Sequence, residues 1–177
     1  MKRKSIKRVL KEYFLLNPTA KLRVRQIERL LNLPLPSVIR YCKELEKENL
    51  LKKEKISNIY LFTANRASQK YLLEKRLFNI KQLFDSGLID SLVKEYSNPS
   101  IVLFGSYAKG EDLETSDIDL YIQTPSKKEI SVEKFEKILK RKIQMFVHKN
   151  IKDISNPHLA NNILNGITMN GFVEVFT

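Results

Sequence analysis

Residues 105–122 read GSYAKGEDLETSDIDLYI, and the apolar run Ile101-Val102-Leu103-Phe104 leads directly into them. Four consecutive apolar residues, β-branched and aromatic among them, predict a buried strand. The run ends at Gly105-Ser106, where glycine lets the backbone turn tightly and lets a ligand approach closely. Ser106 is expected to cap the helix that follows, whose free N–H groups form a seat for phosphate. Twelve residues after Gly105, the stretch Asp117-Ile118-Asp119-Leu120-Tyr121-Ile122 alternates as a second strand. Residues two apart on a strand share a face, about 6.6 Å apart at about 3.3 Å per residue. Carboxylates at that spacing can converge on divalent ions, and Mg²⁺ shares such hard oxygen ligands with substrate phosphates. Taken singly, each half has an ordinary reading as a surface turn or the wet face of a half-buried strand. Together they describe a site that handles a nucleoside triphosphate.

The segment from Gly105 to Ile122 resembles the signature of the minimal nucleotidyltransferase family, relatives of DNA polymerase beta: Gly-Ser, an intervening turn or helix, then Asp-hydrophobic-Asp on the next strand. The resemblance spans about residues 86–177 and implies an α/β (α+β) nucleotidyltransferase fold with a mixed sheet. It further implies that Gly105 and Ser106 bind the triphosphate of an NTP, ATP being the expected one. Asp117 and Asp119 would hold two Mg²⁺ ions, one activating an acceptor hydroxyl and the other steadying the pyrophosphate. Lys109 is a candidate for a further phosphate contact, against the alternative of a solvated lysine. Family members that catalyse place a third carboxylate on a later strand. The matching segment here is Lys142-Ile143-Gln144-Met145-Phe146-Val147, with Gln144 at that position. An amide offers one carbonyl oxygen and no charge, so one ion would be held weakly. His148 shares the strand face but lies about 13 Å further along at about 3.3 Å per residue.

Upstream, Ile6, Leu10 and Phe14 recur every four residues and predict a helix over about Lys4–Leu16, stopped at Asn17-Pro18. A second helix is expected over about Arg23–Leu31, with Val24, Ile27, Leu30 and Leu31 inward. After the turn Asn32-Leu33-Pro34-Leu35, a third starts at Pro36 and carries Val38, Cys42 and Leu45 inward to about Glu48. Leu50–Glu54 and Asn58–Phe62 read as two strands around a polar turn. This order resembles the winged helix-turn-helix domains of transcription regulators, over about residues 4–64. The domains expected are therefore a winged helix over 1–64, a helical linker over 65–85, and a nucleotidyltransferase-fold domain over 86–177. In the linker, Tyr71, Leu72, Leu77, Ile80 and Leu83 mark the apolar face. Gly87 and Asn98-Pro99 bracket another helix, and Asn156-Pro157 and Gly166 bracket the last.

Charge sharpens this division. Of the 32 Lys and Arg residues, 16 fall in residues 1–65, which hold only 6 of the 20 Asp and Glu. A basic half points to a polyanion, here double-stranded DNA, with a solvated lysine surface as the alternative. In a helix-turn-helix the second helix meets base edges. Its outward residues here are Ser37, Arg40, Tyr41, Lys43 and Lys47, with Arg40 suited to guanine. Lys52, Lys53 and Lys55 on the wing, with Lys2, Arg3, Lys4, Arg23 and Arg25, are candidates for phosphates. No apolar run approaches a membrane span and no signal peptide is evident, so a cytoplasmic location and no membrane partner are expected. A single cysteine, Cys42, excludes an internal disulfide and reads as buried filler. Two functions remain open. One is a Mg²⁺-dependent nucleotidyltransferase tethered to DNA. The other is a catalytically weak or inactive regulator or antitoxin-like protein that binds DNA, nucleotide or a HEPN-type partner. A homodimer is expected by analogy with winged-helix regulators.

Overall fold

The computed structural model describes residues 5–175. The candidate phosphate contacts Lys2, Arg3 and Lys4 therefore lie outside the described residues. The chain divides into two compact units, Met1–Lys75 and Arg76–Thr177.

The first unit runs α1 (Ile6–Leu16), α2 (Val24–Leu31), α3 (Leu35–Lys47), β1 (Leu51–Ile56) and β2 (Ile59–Ala64). Ser5 caps α1 by accepting the Arg8 N–H, which satisfies a donor the helix leaves open. The second helix ends at Asn32 in the left-handed region, φ 49°, a conformation asparagine tolerates better than most residues. Pro36 falls in the first turn of α3, where a missing N–H costs nothing. The inward residues expected of α3 are all found: Val38, Cys42 and Leu45 are fully buried. Burial pushes the Cys42 thiol up to about 12, with Glu46 adding to it. Leu30, expected on the inner face of α2, is instead 57% exposed. A helix of eight residues has few inward positions, and Ile27 is the residue it buries. The hairpin is antiparallel, with Ile56 opposite Ile59 across Ser57-Asn58. Its base is widened by a bridge between Leu22 and Phe62.

The helix α4 (Gln69–Asp85) contributes to both units. Its buried stripe is Tyr71, Lys75, Asn79 and Leu83, four residues apart. Leu77, expected inward, is 54% exposed. The stripe follows the helical period, and two of its four residues, Lys75 and Asn79, are polar and were not among those the spacing picked out.

The second unit continues with α5 (Leu88–Glu95), β3 (Ser100–Phe104), α6 (Gly105–Lys109), β4 (Ile118–Gln123), α7 (Glu133–Leu139), β5 (Ile143–His148), a 3₁₀ turn at Ile151–Asp153, α8 (Pro157–Leu164) and β6 (Ile167–Asn170). Strand order is β5-β4-β3-β6. The β3–β4 and β3–β6 pairs are antiparallel, whereas β4 and β5 run parallel. The sheet is thus mixed, as expected of a nucleotidyltransferase fold. Alternate residues serve opposite faces. On one face Ile101, Leu103, Ile118, Leu120, Ile122 and Ile143 pack with Leu88, Leu92, Phe135 and Leu139 of α5 and α7. On the other, Val102, Phe104 and Tyr121 pack with Ile151 and Ile163. Full burial of such a side chain stabilises by about 1.5–3 kcal/mol, so each face can outweigh a poorly solvated polar residue at its edge. Asp119 is that residue: it lies between Ile118 and Leu120 and shares parity with Tyr121. The last helix begins at Asn156, whose side chain accepts from the His158 and Leu159 N–H groups. At Gly166, just beyond it, a Cβ would lie 2.6 Å from the Leu103 carbonyl oxygen, so glycine there lets the chain cross close to β3. No helix among the described residues is long and apolar enough to cross a membrane.

Candidate nucleotidyl-transfer site

The sheet register seats the site. Phe104, the last residue of β3, pairs opposite Asp119, and the next residue, Gly105, turns the chain into α6 with φ +74°. A Cβ on Gly105 would lie 2.2 Å from Asp119 Oδ2 and 3.2 Å from its Cγ. Two independent constraints, backbone handedness and contact, therefore require glycine here. The carboxylate rests directly on the bend. Asp117 immediately precedes β4, is exposed, and shares strand parity with the half-buried Asp119. Burial raises the Asp119 carboxyl above its ordinary range, and the Asp117 charge raises it further. The two acids therefore interact.

Ser106 departs from the expected cap. The helix starts at Gly105 with Phe104 in the cap position, so Ser106 lies inside the first turn, half-buried. Lys109 closes α6 and is exposed. Between them Tyr107 and Ala108 are buried in the core and anchor this short helix.

The parallel β4–β5 register places Gln144 directly beside Asp119. Gln144 is exposed. His148 pairs with Gln123 at the far end of the same strands and stacks on Tyr121 at 6.2 Å. No group of three or more His, Cys, Asp and Glu side chains converges among the described residues. The donor set is thus two carboxylates and one amide. It suits an ion that brings its own phosphate and water ligands, which is how Mg²⁺ is usually held.

Sequence reasoning missed what holds the loop carrying Asp117. Asp112, 1% exposed, accepts from Asn79 Nδ2 at 2.7 Å and pairs with Arg141 Nη2 at 3.4 Å. Asn79 also donates to the Tyr107 carbonyl at 2.9 Å. Ser116 Oγ accepts the Leu113 N–H at 2.9 Å. Loop, α4, α6 and the start of β5 are thereby tied together. The available signal was Asn79 itself, a polar residue in the four-residue stripe of α4.

In the first unit, Arg40, Lys43, Lys52 and Lys53 are exposed, and Ser37 and Tyr41 are half-buried. The Arg40 guanidinium lies over the Tyr41 ring at 4.4 Å and 3.9 Å from Glu44. Lys52 pairs with Glu54 at 2.8 Å, and Lys53 sits 3.9 Å above Tyr60. Lys21 and Lys52 hold the Glu54 carboxyl down to about 2.

The Nucleotidyltransferase domain family matches residues 86–167, a span that holds the bend, both acids and Gln144. Over 79 residues the chain is 39% identical to a Methanocaldococcus jannaschii protein provisionally named a protein adenylyltransferase. The match takes in 41% of this chain and 76% of that relative. No solved structure matches at the same stringency. The chain belongs to the nucleotidyltransferase domain family, and both comparisons support a nucleotidyl transfer activity.

Proposed function

We propose that the chain moves AMP from ATP onto the hydroxyl of an acceptor, the acceptor oxygen bonding to the α-phosphorus as pyrophosphate leaves, with Mg²⁺ as cofactor. The observation that carries this reading is the Asp119 carboxylate resting on the Gly105 bend beside Asp117. Phosphates at the start of α6 would meet backbone N–H groups of Gly105 and Ser106, with Lys109 at the helix end as a further cation. Asp117 and Asp119 would hold the ion, which supplies positive charge against the phosphates and acidifies the acceptor hydroxyl. The carboxylates would fix that charge in place, and Gln144 would offer a neutral oxygen alongside. The name of the Methanocaldococcus relative supports ATP as donor and a protein as acceptor.

The first unit is read as a winged helix-turn-helix on double-stranded DNA. Its basic balance and the exposed Arg40, Lys43, Lys52 and Lys53 support this.

Gln144 favours a second reading: a regulator, or an antitoxin-like protein with a HEPN-type partner, that binds nucleotide without turnover. Incubation with labelled ATP and Mg²⁺, with and without candidate acceptor proteins, separates the two. Transfer by the natural chain that vanishes in Asp117→Asn is the expected result. Absence of transfer, with activity appearing only in Gln144→Asp, would overturn the transferase reading.

A further inference from the structure

A recess of about 440 Å³ lies against α7 and the turn into β5, lined by Glu133, Glu136, Lys137, Lys140, Arg141 and Lys142. It adjoins the site just described. Lys142 carries the carbonyl that accepts the Ile118 N–H at 2.8 Å, and its ammonium is stabilised by Glu136 first, with Asp117 contributing.

The charges in this recess are unequally spent. Lys142 is bound to Glu136 at 3.0 Å, and the same carboxylate accepts the Ile143 N–H at 3.0 Å. Arg141 is directed to Asp112 at 3.4 Å. Lys137 and Lys140 make no ion pair among the described residues. Lys140 is moreover held at φ 53°, in the helix-ending position that usually falls to glycine or asparagine. Four cations face two acids, and two of the cations have no acidic partner.

Topology says what would come to them. In the order β5-β4-β3, the bend and α6 follow β3, Asp119 lies on β4 with Asp117 just before it, and the recess borders the turn that leads into β5. Phosphates seated at the bend would occupy the β3 side of the acids, leaving for the acceptor the side on which Gln144 stands beside Asp119. Displacement at phosphorus runs in line, with attacking and leaving oxygens opposite one another. On the transferase reading the acceptor would therefore approach from the β5 side, near the recess. An acceptor bearing negative charge would be repelled by Asp117 and Asp119 unless cations stood at its entry.

We infer that this recess is an acceptor subsite, in which Lys137 and Lys140 hold acidic side chains of a protein substrate next to its reacting hydroxyl. The inference rests on the transferase reading for the direction of approach. The peptide binding it predicts can be measured without turnover.

The test uses the full chain and two fluorescein-labelled peptides, each with one tyrosine, flanked by glutamates in one and glutamines in the other. Fluorescence anisotropy at low salt is expected to show the glutamate peptide bound about five- to tenfold more tightly, as two exposed ion pairs allow. The double substitution Lys137→Glu/Lys140→Glu is expected to abolish that preference and to leave Mg²⁺-ATP binding by calorimetry unchanged. Lys137→Gln/Lys140→Gln, a milder variant, is expected to reduce it partially should the charge reversal disturb folding. Equal affinities for the two peptides, or a preference that survives both variants, would overturn the subsite. So would a double variant that loses Mg²⁺-ATP while keeping the peptide preference, since the recess would then serve the nucleotide. Failure of the natural chain to bind Mg²⁺-ATP, with the charge-dependent peptide preference intact, would sink the transferase reading and leave the acidic-peptide site standing.

Discussion

Asp119 is held where a carboxylate is uncomfortable. Burial and the Asp117 charge both favour its protonated form. The folded chain therefore binds more protons than the unfolded one just above the ordinary carboxylate value of about 3.9. The contribution of Asp119 to stability therefore falls as pH rises through that window, opposite in sign to that of Glu54, whose carboxyl is held down by Lys21 and Lys52. Replacing Asp119 with Asn is expected to raise the thermal midpoint at pH 7 and to flatten the decline above about pH 4. Label transfer in the same variant should drop by about a hundredfold or more, the scale seen when one element of transition-state charge stabilisation is removed. A midpoint that falls instead would make Asp119 a structural acid. At Gly105 the constraint is steric: an added methyl group lands 2.2 Å from the carboxylate oxygen. Gly105→Ala is expected to displace Asp119 and remove Mg²⁺-ATP binding, measured by calorimetry, even where the chain still folds.

At the scale of elements, the site depends on a loop pinned from outside. Asp112 has a fully buried side chain and Arg141 is 7% exposed, so removing one leaves the other as a buried charge without its counter-ion. Asp112→Ala is expected to cost about 3–5 kcal/mol, read as a lowered urea midpoint. A change within about 0.5 kcal/mol, the usual range for surface substitutions, would show that the loop does not need this tie. Apart from Asn79, a polar residue on the buried stripe of α4, none of this pinning was legible in the sequence. Asp112 there is one acid among several in a polar stretch, and Arg141 sits in a run of cations. Their pairing is set by α4 and β5, far away along the chain. The bend and the two acids could be read because strand, turn and strand are contiguous, and strand periodicity fixes which side chains share a face. Ser106 was misplaced for a local reason, since the helix starts two residues earlier than a serine cap requires. Leu30 and Leu77 were placed inward on apolarity alone, whereas helical phase keeps them exposed.

Across the whole molecule, the basic charge is concentrated in the first unit, which also holds the exposed arginine and lysines proposed to face DNA. Neutralising phosphates releases counter-ions, so the logarithm of affinity for duplex DNA should fall with log salt at a slope of about −0.9 per contact. Lys52→Ala/Lys53→Ala should lower that slope by up to about 2 without changing sequence preference, while Arg40→Ala should relax it. Lys52 already spends part of its charge on Glu54, so its share should be the smaller. A flat salt response would remove DNA as a partner. Composition and helix spacing divide the chain into a basic half and a second domain joined by a helical linker over 65–85. The contacts divide the chain within α4, where a continuous helical period carries no mark of a border.

The parallel register that sets Gln144 beside Asp119 has an evolutionary corollary. Glutamine and glutamate codons differ only in their first base. One point mutation would thus install an acid next to Asp119, and the reverse change would remove it. A lineage carrying this sheet stands a single inheritable step from either state, and gene copies within it could drift between catalyst and mere nucleotide receptor while the fold stays the same.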